Sequence, residues 1–489
     1  MKRQLPKILI IVIWGMLCWA FFQFRYAYHF FYQEQEGLFL LSWEYVGRYF
    51  DKPAWLACLV GDFLTQFYYY MYAGAVILTV VLLTLGDLMR RALEQVFYAN
   101  SRKVVYEMIA FTLAIILMTI VMIMSFDEHF RLATIIGLIG GASLFLLHSF
   151  ILNRVRGLVL SKIGRAISDI VLICFAYWMF GVGALLFCIL EIIAIVFSQT
   201  CEKRNRLPLS LSIVPIVIYL SIVLWLAPKN YNLIEKDAMT YPGLGRVGAP
   251  DYEFERVLAF DNEYYFKNYD KILEMAKAEE NNMNEEMKFF YCMTLAKKDM
   301  LADVFPSMKN PNLGTFYEIG PETPRFTIRM IDELYYLVGD MTYTERAALL
   351  ANTFSRFGHS ARKLKRLAEA NLVRGDESAA MKYLRILEKT IAYRQWAQNH
   401  IPGSQTEAVK AEIADKRQYV NTKNNVRIGD DCYAILTQLL DSNPTNTIAL
   451  DYLLCSDMLS HQRDVFVRDY EKYGPRNKGK FEAIYREAK

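Results

Sequence analysis

Apolar positions run unbroken through much of the first half of the chain and become periodic, interleaved with polar ones, in the second. The apolar runs lie near 8–24, 71–89, 104–125, 132–152, 166–199 and 209–227. A membrane-spanning helix needs about 20 apolar residues, so five of these runs read as single spans. The 166–199 run is too long for one, and Gly181-Val182-Gly183 offers a turn that splits it into 166–181 and 183–199.

Charge decides between one long helix and a hairpin. Arg90-Arg91, Arg102-Lys103, Arg154, Arg156, Lys162, Arg165, Lys203, Arg204 and Arg206 all flank spans. With the hairpin they fall on one side, as basic loops do on the cytoplasmic face. The pattern therefore predicts about seven spans with a cytoplasmic N-terminus, the last of them delivering the remaining chain to the far side. Lys2, Arg3 and Lys7 precede the first run and no small-residue cleavage site follows it, so it reads as an uncleaved span. Between the first two spans, 37–67 has helical periodicity interrupted by charge, the pattern of helices lying at the interface. Tyr68, Tyr69, Tyr70 and Tyr72 then form an aromatic belt.

The transmembrane domain thus covers 1–227 and a linker covers 228–250. Gly243-Leu244-Gly245-Arg246-Val247-Gly248 within the linker is a formal dinucleotide fingerprint, but it lacks the strand before and the helix after that such binding requires. From 251 to 489 the chain reads as successive amphipathic helices, giving an all-α protein: a polytopic bundle followed by a helical-repeat domain. The clearest repeat spans 364–387. Leu367 and Ala368 lie on its first helix, Gly375-Asp376 in its turn, and Ala380 and Leu384 on its second. These match tetratricopeptide positions where small residues let two helices approach, with Asn371 standing where that pattern prefers Tyr. Leu439-Leu440 through Asn443-Pro444 to Tyr452-Leu453 echoes it. The stretch 400–431 is polar and irregular and reads as an inserted excursion.

Composition adds little beyond this division. The chain has 489 residues, 54% hydrophobic and 22% charged, and a formal net charge of +4, too mild a balance to argue for nucleic acid. Eight cysteines show no paired spacing and read as buried thiols. The sequence contains no HExxH, GxSxG, Walker A or CxxC motif.

Three groups carry candidate chemistry. Glu34 and Glu36 follow the first span, and Asp127, Glu128 and His129 separate the third and fourth. In one bundle both groups share a membrane surface, where carboxylates and a histidine are suited to a divalent cation and to activating an acceptor. Glu191 lies inside an apolar run, where a charge costs roughly 2.5–3.5 kcal/mol on insertion scales and must be neutral, paired or facing a cavity. Asp169 and His148 are its candidate partners, as a structural contact between helices or as a proton or ion path. Arg362, Lys363, Lys365 and Arg366 read as a solvated helix face or a patch facing an acidic partner or lipid headgroups.

The chain resembles an uncharacterised family of multi-pass bacterial membrane proteins found mainly in Bacteroidota. Glu34-Gln35, Leu38-Phe39, Phe63, Gln66-Phe67 and Gly74 carry the likeness, as do Arg366-Leu367-Ala368-Glu369, Leu387-Glu388-Lys389-Thr390, Trp396-Ala397, Asn443-Pro444 and Tyr452-Leu453. The resemblance implies a bacterial inner membrane with a periplasmic soluble domain. The layout of the membrane half is also similar to that of glycosyltransferases of the GT-C type, which use lipid-linked sugars. That likeness implies Glu34 or Glu36 as acceptor-activating base and Asp127 or Glu128 as ligand to a divalent cation; neither outer loop contains DxD. The leading expectation is binding of an envelope protein or peptide through 251–489. Transfer from a lipid-linked substrate is the second reading and transport the third.

Overall fold

The computed structural model describes residues 5–97, 103–155, 162–201, 247–279, 282–308, 311–314, 322–355, 358–421 and 432–476. Secondary structure among them is helical throughout, without strands. Two compact units emerge: Met1–Glu34 with Phe39–Tyr252, and Gln35–Leu38 with Glu253–Lys489. The predicted run at 209–227 and most of the 228–250 linker, including the start of its glycine motif, lie outside the described residues.

The first unit contains α1 (Leu5–Phe24), α2 (Tyr28–Gln35), α3 (Trp43–Phe50), α4 (Trp55–Thr65), α5 (Ala73–Phe97), α6 (Lys103–Met124), α7 (Leu132–Val155), α8 (Lys162–Phe180) and α9 (Gly183–Cys201). Helices α1, α5, α6 and α7 are long and apolar enough to cross a membrane, and α8 and α9 carry the shorter apolar stretches Ser168–Phe180 and Gly183–Phe197. Helix α5 is central, packing against α1, α6, α7 and α9. Its Leu82 and Leu85 meet a core that includes Phe22, Phe145 and Phe187. The outward faces are apolar too: Leu9, Ile13, Val76, Val80, Met108, Ile116, Leu147, Phe150 and Val171 are exposed. Helices that are apolar all round belong in a hydrocarbon solvent rather than in water.

Small residues set the closest approach in this unit. A Cβ on Gly183 would stand 1.9 Å from the Gly137 carbonyl oxygen, and one on Gly141 would stand 2.0 Å from that of Gly183. The backbones of α7 and α9 therefore touch, as small-residue interfaces allow in membrane bundles. Gly181 (φ 56°) makes the left-handed turn between α8 and α9, a conformation that glycine adopts without steric penalty. Helix α8 thus returns antiparallel to α7, and α9 runs parallel to it.

The second unit contains α10 (Tyr252–Tyr265), α11 (Tyr269–Ala278), α12 (Glu285–Lys297), α13 (Leu301–Val304), α14 (Arg325–Val338), α15 (Met341–Phe354), α16 (Ala361–Arg374), α17 (Glu377–Leu387), α18 (Arg394–His400), α19 (Glu407–Arg417), α20 (Cys432–Ser442), α21 (Thr447–Leu459) and α22 (Arg463–Tyr473). Each of α14 to α17 packs on the next. The α16–α17 hairpin follows from its sequence. The Ser360 hydroxyl caps the Lys363 amide, Gly375 (φ 90°) closes α16, and Asp376 caps α17 at the Ala379 amide. Leu367, Ala368, Ala380, Leu384 and Leu387 are all fully buried between neighbours.

The 400–431 excursion takes a different form from the expected irregular insertion. Its helix α19 ends on the C-termini of two others: Lys416 Nζ donates to Leu337 O at 2.7 Å, and Arg417 donates to Val373 O and Leu372 O, each at 2.9 Å. Cationic side chains satisfy the last carbonyls of α14 and α16, which have no partner within their own helices. A polar composition concealed this, because its charges are spent on backbone rather than solvent. Residues 422–431 of the stretch lie outside the described residues.

Candidate functional site

The first unit brings three polar residues together from three apolar helices. His148 is on α7, Asp169 on α8 and Glu191 on α9, and all three are buried. His148 Nδ1 lies 2.6 Å from Glu191 Oε1, a hydrogen bond. On the opposite edge of the ring, Nε2 lies 3.6 Å from Asp169 Oδ1 and makes no hydrogen bond. One ligand atom from each residue falls within 4.8 Å of the others, an arrangement among the described residues that is open to a metal ion. The glycine contact explains the meeting. Gly141 and Gly183 hold α7 and α9 together, and about two turns further along both parallel helices stand His148 and Glu191.

The acids of the two loops expected on one membrane face are placed differently. Asp127 Oδ1 accepts the His129 backbone amide at 2.8 Å, and His129 Nδ1 lies 3.5 Å from Glu128 Oε1, the imidazole being largely exposed. Asp127, Glu128 and His129 thus share one polar turn, in which Asp127 accepts from the backbone. Gln33 Nε2 donates to Glu128 O at 3.2 Å, which seats α2, and with it the buried Glu34, on that turn. Sequence reasoning missed the polar chain beside it. Arg131 Nη2 meets both oxygens of Asp62, at 2.9 and 3.0 Å, the Tyr49 hydroxyl donates to Asp62 at 3.0 Å, and the Tyr45 and Tyr49 hydroxyls are 3.1 Å apart. Burial opposes the charge on Arg131, but Asp62 outweighs it and raises the guanidinium above its usual range.

Glu36, expected as the alternative base, belongs to the second unit, where its carboxylate lies 3.6 Å from Arg329 Nε. With Gln35, Gly37 and Leu38 it forms a short segment held by α14 and α16. The Ser360 hydroxyl donates to Gln35 O at 2.6 Å, the Ala361 amide donates to Gly37 O at 3.1 Å, and Arg362 Nη1 donates to Gln35 Oε1 at 2.9 Å. Arg329 donates to the same side-chain oxygen. Segment and helices are 327 positions apart at the Arg362 contact.

Beneath the segment lies a buried network of opposite charges. Arg362 bonds Asp261 at 2.7 Å and Glu333 at 2.8 Å, Lys363 bonds Asp332 at 2.5 Å, and Arg366 bonds Glu333 and Glu369. The reading of Arg362 and Lys363 as a solvated face or partner patch is therefore corrected: they are 2% and 0% exposed. Burial pushes the Glu333 carboxyl up, but Arg366 and Arg362 overcome it and hold it below the ordinary range. Burial also lifts Asp332 and lowers Lys363, each opposed by the other's charge. Neutralised pairing of this kind is an anchor, in which removing one partner is far more damaging than replacing the whole set.

No curated protein and no solved structure matches the chain. The sequence profile of a family of unknown function (DUF6057) matches residues 2–489, and the chain belongs to that family.

Proposed function

We propose that this is a bacterial inner-membrane protein of about seven spans whose tetratricopeptide-like helical unit binds an extended peptide or protein segment in the periplasm. The capture of Gln35–Leu38 supports the reading. Helices α14 and α16 already grip a segment from a distant part of the chain, Gln35–Leu38, through its main chain (Ser360, Ala361) and through its side chains (Arg329, Arg362). Helical repeats bind extended segments in this way, with backbone contacts supplying affinity and side chains supplying choice. The N-terminus is cytoplasmic in this reading and the partner is a second envelope protein. The test is photo-crosslinking in cells from Lys382 and Arg385, exposed positions on α17. A discrete adduct, lost when the position is moved to the lipid-facing Val80, is expected. Adducts confined to the chain itself would end the binding reading.

A second reading rests on a separate observation. Gln33 ties the Glu34 helix to the turn that carries Asp127 and Glu128, so acids of two outer loops share a surface. This suits transfer from a lipid-linked donor with Glu34 as base, Glu36 being committed to Arg329. Loss of a lipid-linked glycan product in Glu34→Gln cells would bring it forward.

A further inference from the structure

We propose that Lys363 and Asp332 condense into an intramolecular amide, a covalent cross-link between α16 and α14, with Arg366 stabilising the reaction. Three observations carry it. The first is proximity. Lys363 Nζ lies 2.5 Å from Asp332 Oδ1, and both side chains are buried. A hydrogen bond of that length leaves Nζ roughly 3–3.5 Å from Cγ, the separation of a near-attack pair. Among the described residues the amine has no other hydrogen-bond partner.

The second is dryness. An ammonium has no lone pair and a carboxylate resists attack, so condensation requires the neutral amine and the neutral acid. Burial favours both. It lifts the Asp332 carboxyl against the charge of Lys363, and it lowers the Lys363 amine against the charge of Asp332. One proton moved along the hydrogen bond, from Nζ to Oδ1, produces the two reactive forms.

The third is the other carboxyl oxygen. Asp332 Oδ2 is buried and makes no hydrogen bond, and 3.6 Å from it stands Arg366 Nε, also buried without one. Glu333 and Glu369 hold that guanidinium in place. Negative charge developing on Oδ2 thus meets a fixed cation beside it, the arrangement of an oxyanion site.

The step balances without an oxidant or reductant. The Nζ lone pair attacks Cγ, the C–N bond forms, and negative charge falls on Oδ2. Nζ gives a second proton to Oδ1, the Cγ–Oδ1 bond breaks, and Oδ1 leaves as water while Oδ2 returns to a carbonyl. One ammonium and one carboxylate become one amide and one water. The bond closes a ring across 31 positions, which removes conformations from the unfolded chain as a disulfide does. It also fixes the two helices that hold Gln35–Leu38.

The experiment is mass spectrometry of the full chain, purified in detergent and then denatured. The wild type is expected to weigh about 18 Da less than its sequence, one water, and a digest should yield one branched peptide joining the Asp332 and Lys363 segments. Lys363→Arg, which keeps the charge, should show the full mass of its own sequence and no branched peptide. In Arg366→Gln the cross-link should form roughly a hundredfold more slowly, followed by pulse labelling. Should a variant not fold, the wild-type spectrum decides alone. A wild type of full mass overturns the proposal, as does a loss of water confined to one linear peptide, the signature of an aspartyl succinimide. An Arg366→Gln chain that condenses at the wild-type rate overturns the role given to Arg366.

Discussion

The two units bury polar side chains by different means. In the second, acids and bases meet in near balance: Asp261, Asp332, Glu333 and Glu369 face Arg329, Arg362, Lys363 and Arg366. In the first, Glu191 and Asp169 meet His148 inside an apolar bundle, at 2.6 and 3.6 Å. Balanced charge in a protein interior is architecture; its components satisfy one another and fix which segments associate. A polar cluster inside an apolar bundle must be neutral, paired or open to a cavity, remedies that a balanced network does not need. The same residue types thus carry different meanings, set by what stands opposite them.

The comparison can be broken first at the balanced network. Arg362→Ala strands Asp261 and Glu333 and releases Gln35, and should lower stability by about 3–5 kcal/mol, measured by chemical unfolding in detergent. A loss within the range of a surface substitution would show that the network is not an anchor.

A smaller effect tests how the triad of the first unit is assembled. In Gly183→Ala the new Cβ would stand 1.9 Å from the Gly137 carbonyl oxygen, so α9 must shift away from α7. Overpacking of this kind costs about 1–3 kcal/mol, and it should also separate Glu191 from His148. Thermal unfolding reads the first effect and the His148 ring resonances by NMR the second. Unchanged His148 resonances would detach the glycine contact from the triad.

The smallest effect sharpens the contrast with an acid that belongs to neither cluster. Asp457 on α21 is buried, and one of its oxygens makes no hydrogen bond. Burial, with the negative charge of Asp469 adding to it, raises its carboxyl from 3.8 to about 7. Between those values the folded chain keeps a proton that the unfolded chain has released, so its contribution to stability falls as pH rises. Asp457→Asn should therefore unfold about 1 kcal/mol later than the wild type at pH 8, with the difference shrinking to nothing near pH 4. A difference that does not depend on pH would refute the protonated acid.

How much of this was legible follows from where each signal resides. His148, Asp169 and Glu191 stood out because each interrupts an apolar run, and the unfavourable free energy of a polar group there is local to the run. Arg362 and Lys363 did not, since a charged pair on an amphipathic helix looks the same whether water or Asp332 stands opposite. Asp62 and Arg131 were hidden for the same reason, being 69 positions apart and individually ordinary at an interface.

The sequence by itself determined that the chain is helical and that its first half is fit for a membrane. Both follow from hydrophobic periodicity and run length, which act over one or two turns. It also determined the caps of α16 and α17, where Ser360, Gly375 and Asp376 act on backbone three or four residues away. Only the tertiary structure decided that Gln35 and Glu36 belong with residues some 300 positions later, that α19 completes the ends of α14 and α16, and that three isolated polar residues converge on one point. Those outcomes depend on which helix packs on which. Packing is chosen by the summed fit of whole faces, such as the glycine contact of α7 with α9, and no single position encodes that sum.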